Sequence, residues 1–232
     1  MIVAAAFCPH PPVLVPDVAR EAAPELDGLR DACRHAITTV AAASDRLVLI
    51  GSAERTLAHS YAARGSLAGY GVDVHAGLVP DADGPFELPL SLTIGAWLVR
   101  DALGPAASMR AFSLDSDPAP ALRDLSRLAS PDRVGLIVMG DASARRSTAA
   151  PGYLDERAVT FDDGVAAALR SADADALAQL DVDLARELLA AGAPAWRAAG
   201  MLLRESAFDA DIRYYDAPYG VTYLVAIWTA RD

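Results

Sequence analysis

Three short segments hold most of the residues able to do chemistry. His10 stands among Pro9, Pro11 and Pro12, directly after the apolar run 2–7. Ser52 and Glu54 follow Gly51, where a second apolar run, 47–50, ends. Asp141, Ser143 and the pair Arg145-Arg146 follow Gly140, after a third run, 134–139. An imidazole with two carboxylates, His10 with Glu54 and Asp141, makes a donor set suited to oxygen-rich metal ligation. Ser52 invites a nucleophile reading. The strained elbow of hydrolases needs Gly-x-Ser-x-Gly, however, and this turn reads Ile50-Gly51-Ser52-Ala53-Glu54. Arg145-Arg146 suits a carboxylate or phosphate, because guanidinium groups grip such anions in a bidentate way.

Each of these residues also has a plain structural role to weigh. A histidine between prolines is held rigidly and can spend its ring on a backbone carbonyl. An aspartate after a strand commonly caps its own turn. Paired arginines are often a solvated loop. His59 and His75 lie in 53–85, a segment rich in small and turn-forming residues, and are expected to be exposed. His35 sits two positions from Cys33 on a helical face and is read as structural. The glycines around Tyr70 form no phosphate-loop or dinucleotide pattern after a strand.

The elements that must position these residues alternate between strand and helix. Residues 2–7 read as a buried strand, and the three prolines within 9–12 forbid any regular element there. Pro24 is expected to open a helix running to about 43, with Leu26, Leu29, Cys33, Ile37 and Val40 on its buried face. Strands are expected at 47–50, 110–114 and 134–139, with a short one at 72–75. Helices are expected at 90–103, 119–128, 155–170, 173–178, 181–191 and 194–207. Runs 212–215 and 221–228, joined by a Pro/Gly segment, read as an antiparallel pair. The pattern predicts one α/β domain over 1–232, with a mixed, mostly parallel central sheet and helices on both faces. Ligands of such sheets bind beyond the carboxyl ends of the strands, where all three polar turns would lie.

Composition narrows the partners. All 20 basic residues are arginine against 31 acidic ones, leaving a formal charge of −11. Without clustered positive charge a nucleic-acid partner is not expected. No run approaches the ~20 apolar residues of a membrane span, and 2–8 lacks the basic flank of a signal peptide. Cys8 and Cys33 do not make a disulfide framework, so a cytoplasmic protein is expected. A small molecule or a second copy of the chain are the partners left open. The aromatics Tyr214, Tyr215, Tyr219, Tyr223 and Trp228 fit a core or a subunit contact.

The segment Phe7-Cys8-Pro9-His10-Pro11-Pro12 resembles the opening motif of the class III extradiol dioxygenases, the LigB-like superfamily that includes the MEMO proteins. Gly135 to Ser143, then Asp162 and the helices up to Pro194, resemble that family's Gly-Asp-Leu-Ser-His segment and the helical stretch after it. The likeness extends to the Ala217-Pro218-Tyr219-Gly220 turn and fits best an Ala-rich actinobacterial branch of the superfamily. The resemblance implies Fe(II) on two histidines and a glutamate, with a further histidine as acid/base. Of these groups, His10 matches the first ligand. The second falls on Ser52-Ala53, with His59 farther along as a substitute. The acid/base position falls on Ala144, and no carboxylate stands near 192–196, where the glutamate belongs. One imidazole cannot hold Fe(II) usefully.

Three readings remain. The favoured one is a dioxygenase-like protein without the iron site, and so without a cofactor, binding a small ligand or partner around His10. The second is an active Fe(II)-dependent ring-cleaving enzyme with rearranged ligands, His10 joined by Glu54, Asp141 or His59. The third is a non-catalytic subunit of an oligomer.

Overall fold

The computed structural model describes residues 1–128 and 132–231. The chain runs through β1 (Ile2–Cys8), α1 (Pro16–Ala19), α2 (Asp27–Ala43), β2 (Arg46–Ser52), β3 (Leu57–Ala58), β4 (Arg64–Ser66) and β5 (His75–Gly77). It continues through α3 (Leu90–Leu103), β6 (Met109–Leu114), α4 (Ala119–Leu128), β7 (Val134–Met139) and α5 (Arg157–Ser171). Last come α6 (Ala174–Ala178), α7 (Val182–Glu187), α8 (Ala193–Leu203), β8 (Phe208–Asp216) and β9 (Tyr223–Ala230).

Seven strands form one sheet in the order β3-β6-β2-β7-β1-β9-β8. The four apolar strands β6, β2, β7 and β1 are mutually parallel, and β9 and β8 add antiparallel beyond β1. The expected mixed sheet with its C-terminal antiparallel pair is therefore the observed one. Alternating side chains divide the core between its faces. Ala5, Phe7, Val48, Ile50, Leu136 and Val138 pack with α5 and α8 on one side. Ala4, Ala6, Cys8, Leu49, Ile137 and Met139 pack with α2 and α3 on the other. Each large side chain so buried contributes about 1.5–3 kcal/mol. Burial also pushes the Cys33 thiol well above its ordinary range, next to Cys8, which leaves it an inert packing residue.

Several boundaries differ from expectation. The second helix begins at Asp27, not at Pro24, which lies inside a 3-10 stretch, Arg20–Leu26. The buried Arg30 explains this: its guanidinium donates to the carbonyls of Leu14 (3.3 Å) and Ala23 (2.5 Å). A regular helix through Pro24 would have used the Ala23 carbonyl for its own ladder. Pro12 opens a 3-10 turn, Pro12–Leu14, because proline suits a first helical position even where it forbids a strand. The short strand expected at 72–75 is β5, displaced to 75–77, where it pairs with β4. The strand β3 has no apolar signature; its pairing with the edge of β6 defines it.

Candidate functional site

Because β1, β7 and β2 are adjacent and parallel, their carboxyl ends lie along one edge. Backbone bonds knit the turns there. Gly140 N–H donates to Cys8 (2.9 Å), Gly192 N–H to Asp141 (2.8 Å), Ala144 N–H to Leu188 (3.1 Å) and Ala53 N–H to Leu114 (2.8 Å). The loop joining α7 to α8 is thereby fastened over the ends of the parallel strands. Gly140 and Gly192 allow this close approach, since a Cβ on Gly140 would stand 2.6 Å from the Gly192 Cα and 2.7 Å from the Trp196 indole nitrogen.

His10 is 6% exposed, and its backbone N–H donates to Asp141 Oδ1 at 2.7 Å. Its ring Nδ1 lies 3.8 Å from the same oxygen, too far for a hydrogen bond, and has no other partner among the described residues. Burial raises Asp141 above its ordinary value, with the His10 ring and N–H pulling the other way. Asp141 therefore fastens the His10 backbone to the β7 turn. It caps a neighbouring turn, whereas sequence suggests that it caps its own.

Ser143, a sequence candidate for the pocket, is fully buried. Its N–H (2.9 Å) and hydroxyl (2.6 Å) donate to the carboxylate of Asp162 on α5. Thr222 donates to that carboxylate at 2.6 Å, and Arg146 reaches it at 3.4 Å while also bonding the Tyr215 hydroxyl. One buried carboxylate thus unites α5, the β7 turn and the β8–β9 turn. Sequence reasoning gives it no such role, although its hydrophilic side chain at a buried helical position, flanked by Phe161 and Val165, is a usable signal. Arg145 is half-buried, with its Nε unpartnered among the described residues and its carbonyl accepting from the Asp155 N–H (3.0 Å).

His59, expected to be exposed, is instead 8% exposed. The pairing of β3 with β6 turns it inward, where Nε2 stands 3.0 Å from Ser113 Oγ. Ser113 donates its own proton to the Arg55 carbonyl at 2.8 Å, so His59 must be the donor of the pair. A serine whose proton is spent on a carbonyl cannot be activated by that imidazole. Burial lowers the His59 pKa, only partly opposed by Glu87. Protonation therefore favours the unfolded state: the stability from neutral His59 is complete above about 6.5, the ordinary imidazole value, and is lost as pH falls through the lowered folded value. Urea unfolding between pH 7 and pH 5 should show a shallower loss of stability for His59→Gln than for the wild type. Equal slopes would refute this role.

Fe(II) chemistry needs at least three converging ligands, and of the candidate donors only His10 and Asp141 lie together. Among the described residues no group of three or more His, Cys, Asp or Glu is placed to hold a metal ion. His10 follows β1, Glu54 follows β2, and His59 points at β6, at the far side of β2. Adjacent strands are ~4.8 Å apart, so the end of β1 that His10 follows lies roughly 10 Å from the end of β2 and farther still from β6. The residues do not fit the 2-His-1-carboxylate centre.

Open space lies elsewhere on the same edge. A cleft of about 550 Å³ sits at the ends of β2 and β6, bounded by Ala53, Glu54, Asp115 and Ser116 on one side and by α7 and the start of α8 on the other. Glu54 lines it and His10 does not. Ser52 ends β2 beside the cleft without lining it, its Oγ unpartnered among the described residues. The walls are Val182, Ala185, Leu189, Ala190, Ala193 and Pro194. Burial tends to raise Asp115, but hydrogen bonds from Asp117 and Thr56 outweigh it and hold the carboxyl below its ordinary value. A second groove, of about 560 Å³ between α5, α6 and α7, has its charged groups already engaged. Arg157 there pairs with Asp155 and Glu187, and Asp181 caps α7.

No helix among the described residues is long and apolar enough to cross a membrane. No protein-family model matches the chain, and no curated protein does. Among solved structures the chain is similar to the crystal structure of an uncharacterized protein, JW3007, from Escherichia coli K12. The identity is 15%, the coverage 98% of this chain and 99% of that one, and the TM-score 0.49.

Proposed function

We propose that this chain is a dioxygenase-like protein without the iron centre, which binds a small organic molecule in the cleft between β2, β6 and the α7–α8 loop. The observation that carries this reading is the identity of the residues lining the cleft. The resemblance assigns a second histidine to Ser52-Ala53 and a glutamate to the vicinity of 192–196. Lining the cleft at those places are Ala53, Ala193 and Pro194. Apolar groups thus stand where the resemblance puts two metal ligands, and clefts of this volume suit small molecules.

Two titrations test it. Anaerobic calorimetry with Fe(II) is expected to give no one-to-one binding above the level of His10→Ala. Tight binding that vanishes in that variant would sink the iron-free reading. With 1-hexanol as the probe, amide NMR signals of 185–193 are expected to shift in the wild type and to stay still in Ala191→Trp, which fills the cleft from an exposed position. Unmoved signals in both proteins would sink the ligand reading.

A further inference from the structure

We infer that the ligand of this cleft is an aliphatic primary amine, held as its ammonium form by Glu54 with its alkyl chain against the α7–α8 wall. The inference rests on the small-molecule reading above and adds the class of ligand.

Three charged side chains border the cleft, and only one is uncommitted. Asp115 accepts from the Thr56 N–H (3.2 Å), the Thr56 hydroxyl (2.9 Å) and the Asp117 N–H (2.8 Å). Arg186 and Glu54 are both exposed, but Arg186 is already paired with Asp183 at 2.7 Å. Glu54 makes no hydrogen bond or ion pair among the described residues. A carboxylate left open beside an apolar wall favours a cation with an apolar tail, because opposite charge adds to apolar burial. A net charge of −11 adds a field of the same sense.

The shape of the site restricts the tail. The lining holds alanine, valine, leucine and proline but no aromatic ring, so neither stacking nor a cation–π contact would select an aryl group. One open carboxylate calls for one ammonium, so a monoamine fits better than a diamine. No bond is made or broken in this binding.

Three probes of matched length, n-hexylammonium, 1-hexanol and hexanoate, separate the contributions by NMR titration of the wild type and Glu54→Gln at low salt. Hexylammonium is expected to bind about two- to fivefold more tightly than 1-hexanol, as one exposed ion pair allows. Glu54→Gln should erase that difference while leaving 1-hexanol unchanged, and 0.5 M NaCl should reduce it. Equal binding of all three probes, or an ammonium preference that survives Glu54→Gln, would overturn the amine inference and leave the cleft reading standing. Preference for hexanoate would overturn it in favour of Arg186. Failure of every probe would overturn both.

Discussion

Replacing Asp162 by alanine is expected to cost about 3–5 kcal/mol, the range for breaking a buried charged network from one side. With whole domains stable by about 5–15 kcal/mol, that is a large share of the total. The reason is the number of donors that converge on one carboxylate. The Ser143 N–H and hydroxyl, the Thr222 hydroxyl and the Arg146 guanidinium all donate to it, and Ser143 and Thr222 are fully buried. Alanine leaves those donors unmet in a dry site. Ser143→Ala and Thr222→Val each remove one donor and should cost only about 1 kcal/mol. The check is urea denaturation of the three variants, comparing midpoints at unchanged slope. A loss below about 1 kcal/mol for Asp162→Ala would mean that water or rearranged partners replace the carboxylate.

The second large effect is expected at Trp196. Its indole is 1% exposed and covers both Gly140 and Gly192. Trp196→Ala should cost about 3–5 kcal/mol through the cavity it leaves. Gly140→Ala changes volume the opposite way, placing a methyl 2.6 Å from the Gly192 Cα and 2.7 Å from the indole nitrogen. Overpacking of this kind costs about 1–3 kcal/mol. Because Ala193 and Pro194 open α8 and line the cleft, both variants should also weaken 1-hexanol binding. Stability lost with probe affinity unchanged would uncouple this packing from the cleft.

How much of this can be read from sequence varies by element. Three of the four parallel strands stand out as apolar runs ending in Gly or Pro, β6 runs instead into Asp115, and all four positions match within a few residues. Their order does not. Runs that are alike in composition carry no mark of which neighbours which, and β3, β4 and β5 owe their existence to pairing partners more than to their own residues. Proximity of the three polar turns is legible, but the fate of each side chain is not. Ser143 is sealed by a carboxylate 19 positions away, and Glu54 gains its cleft from α7, in a distant part of the chain. His59 reads as exposed because its segment is polar and turn-rich, yet a two-residue strand is enough to bury it.

The place of β1 in the sheet sets the order in which the molecule can be assembled. Its partners are β7 and β9, so Ile2 meets Val134 and Ala4 meets Thr229. β1 is thus separated from both neighbours by long stretches of chain, since they begin only at Val134 and Tyr223. At ~5–20 residues per second a nascent chain would wait roughly ten seconds or more before both edges of β1 could be filled. Pairings this distant in sequence close slowly even after release. Three consecutive alanines, Ala4–Ala6, keep that waiting segment small and weakly adhesive. Had they been leucines or isoleucines, an unpartnered strand would have become an aggregation hazard while it awaited β7 and β9.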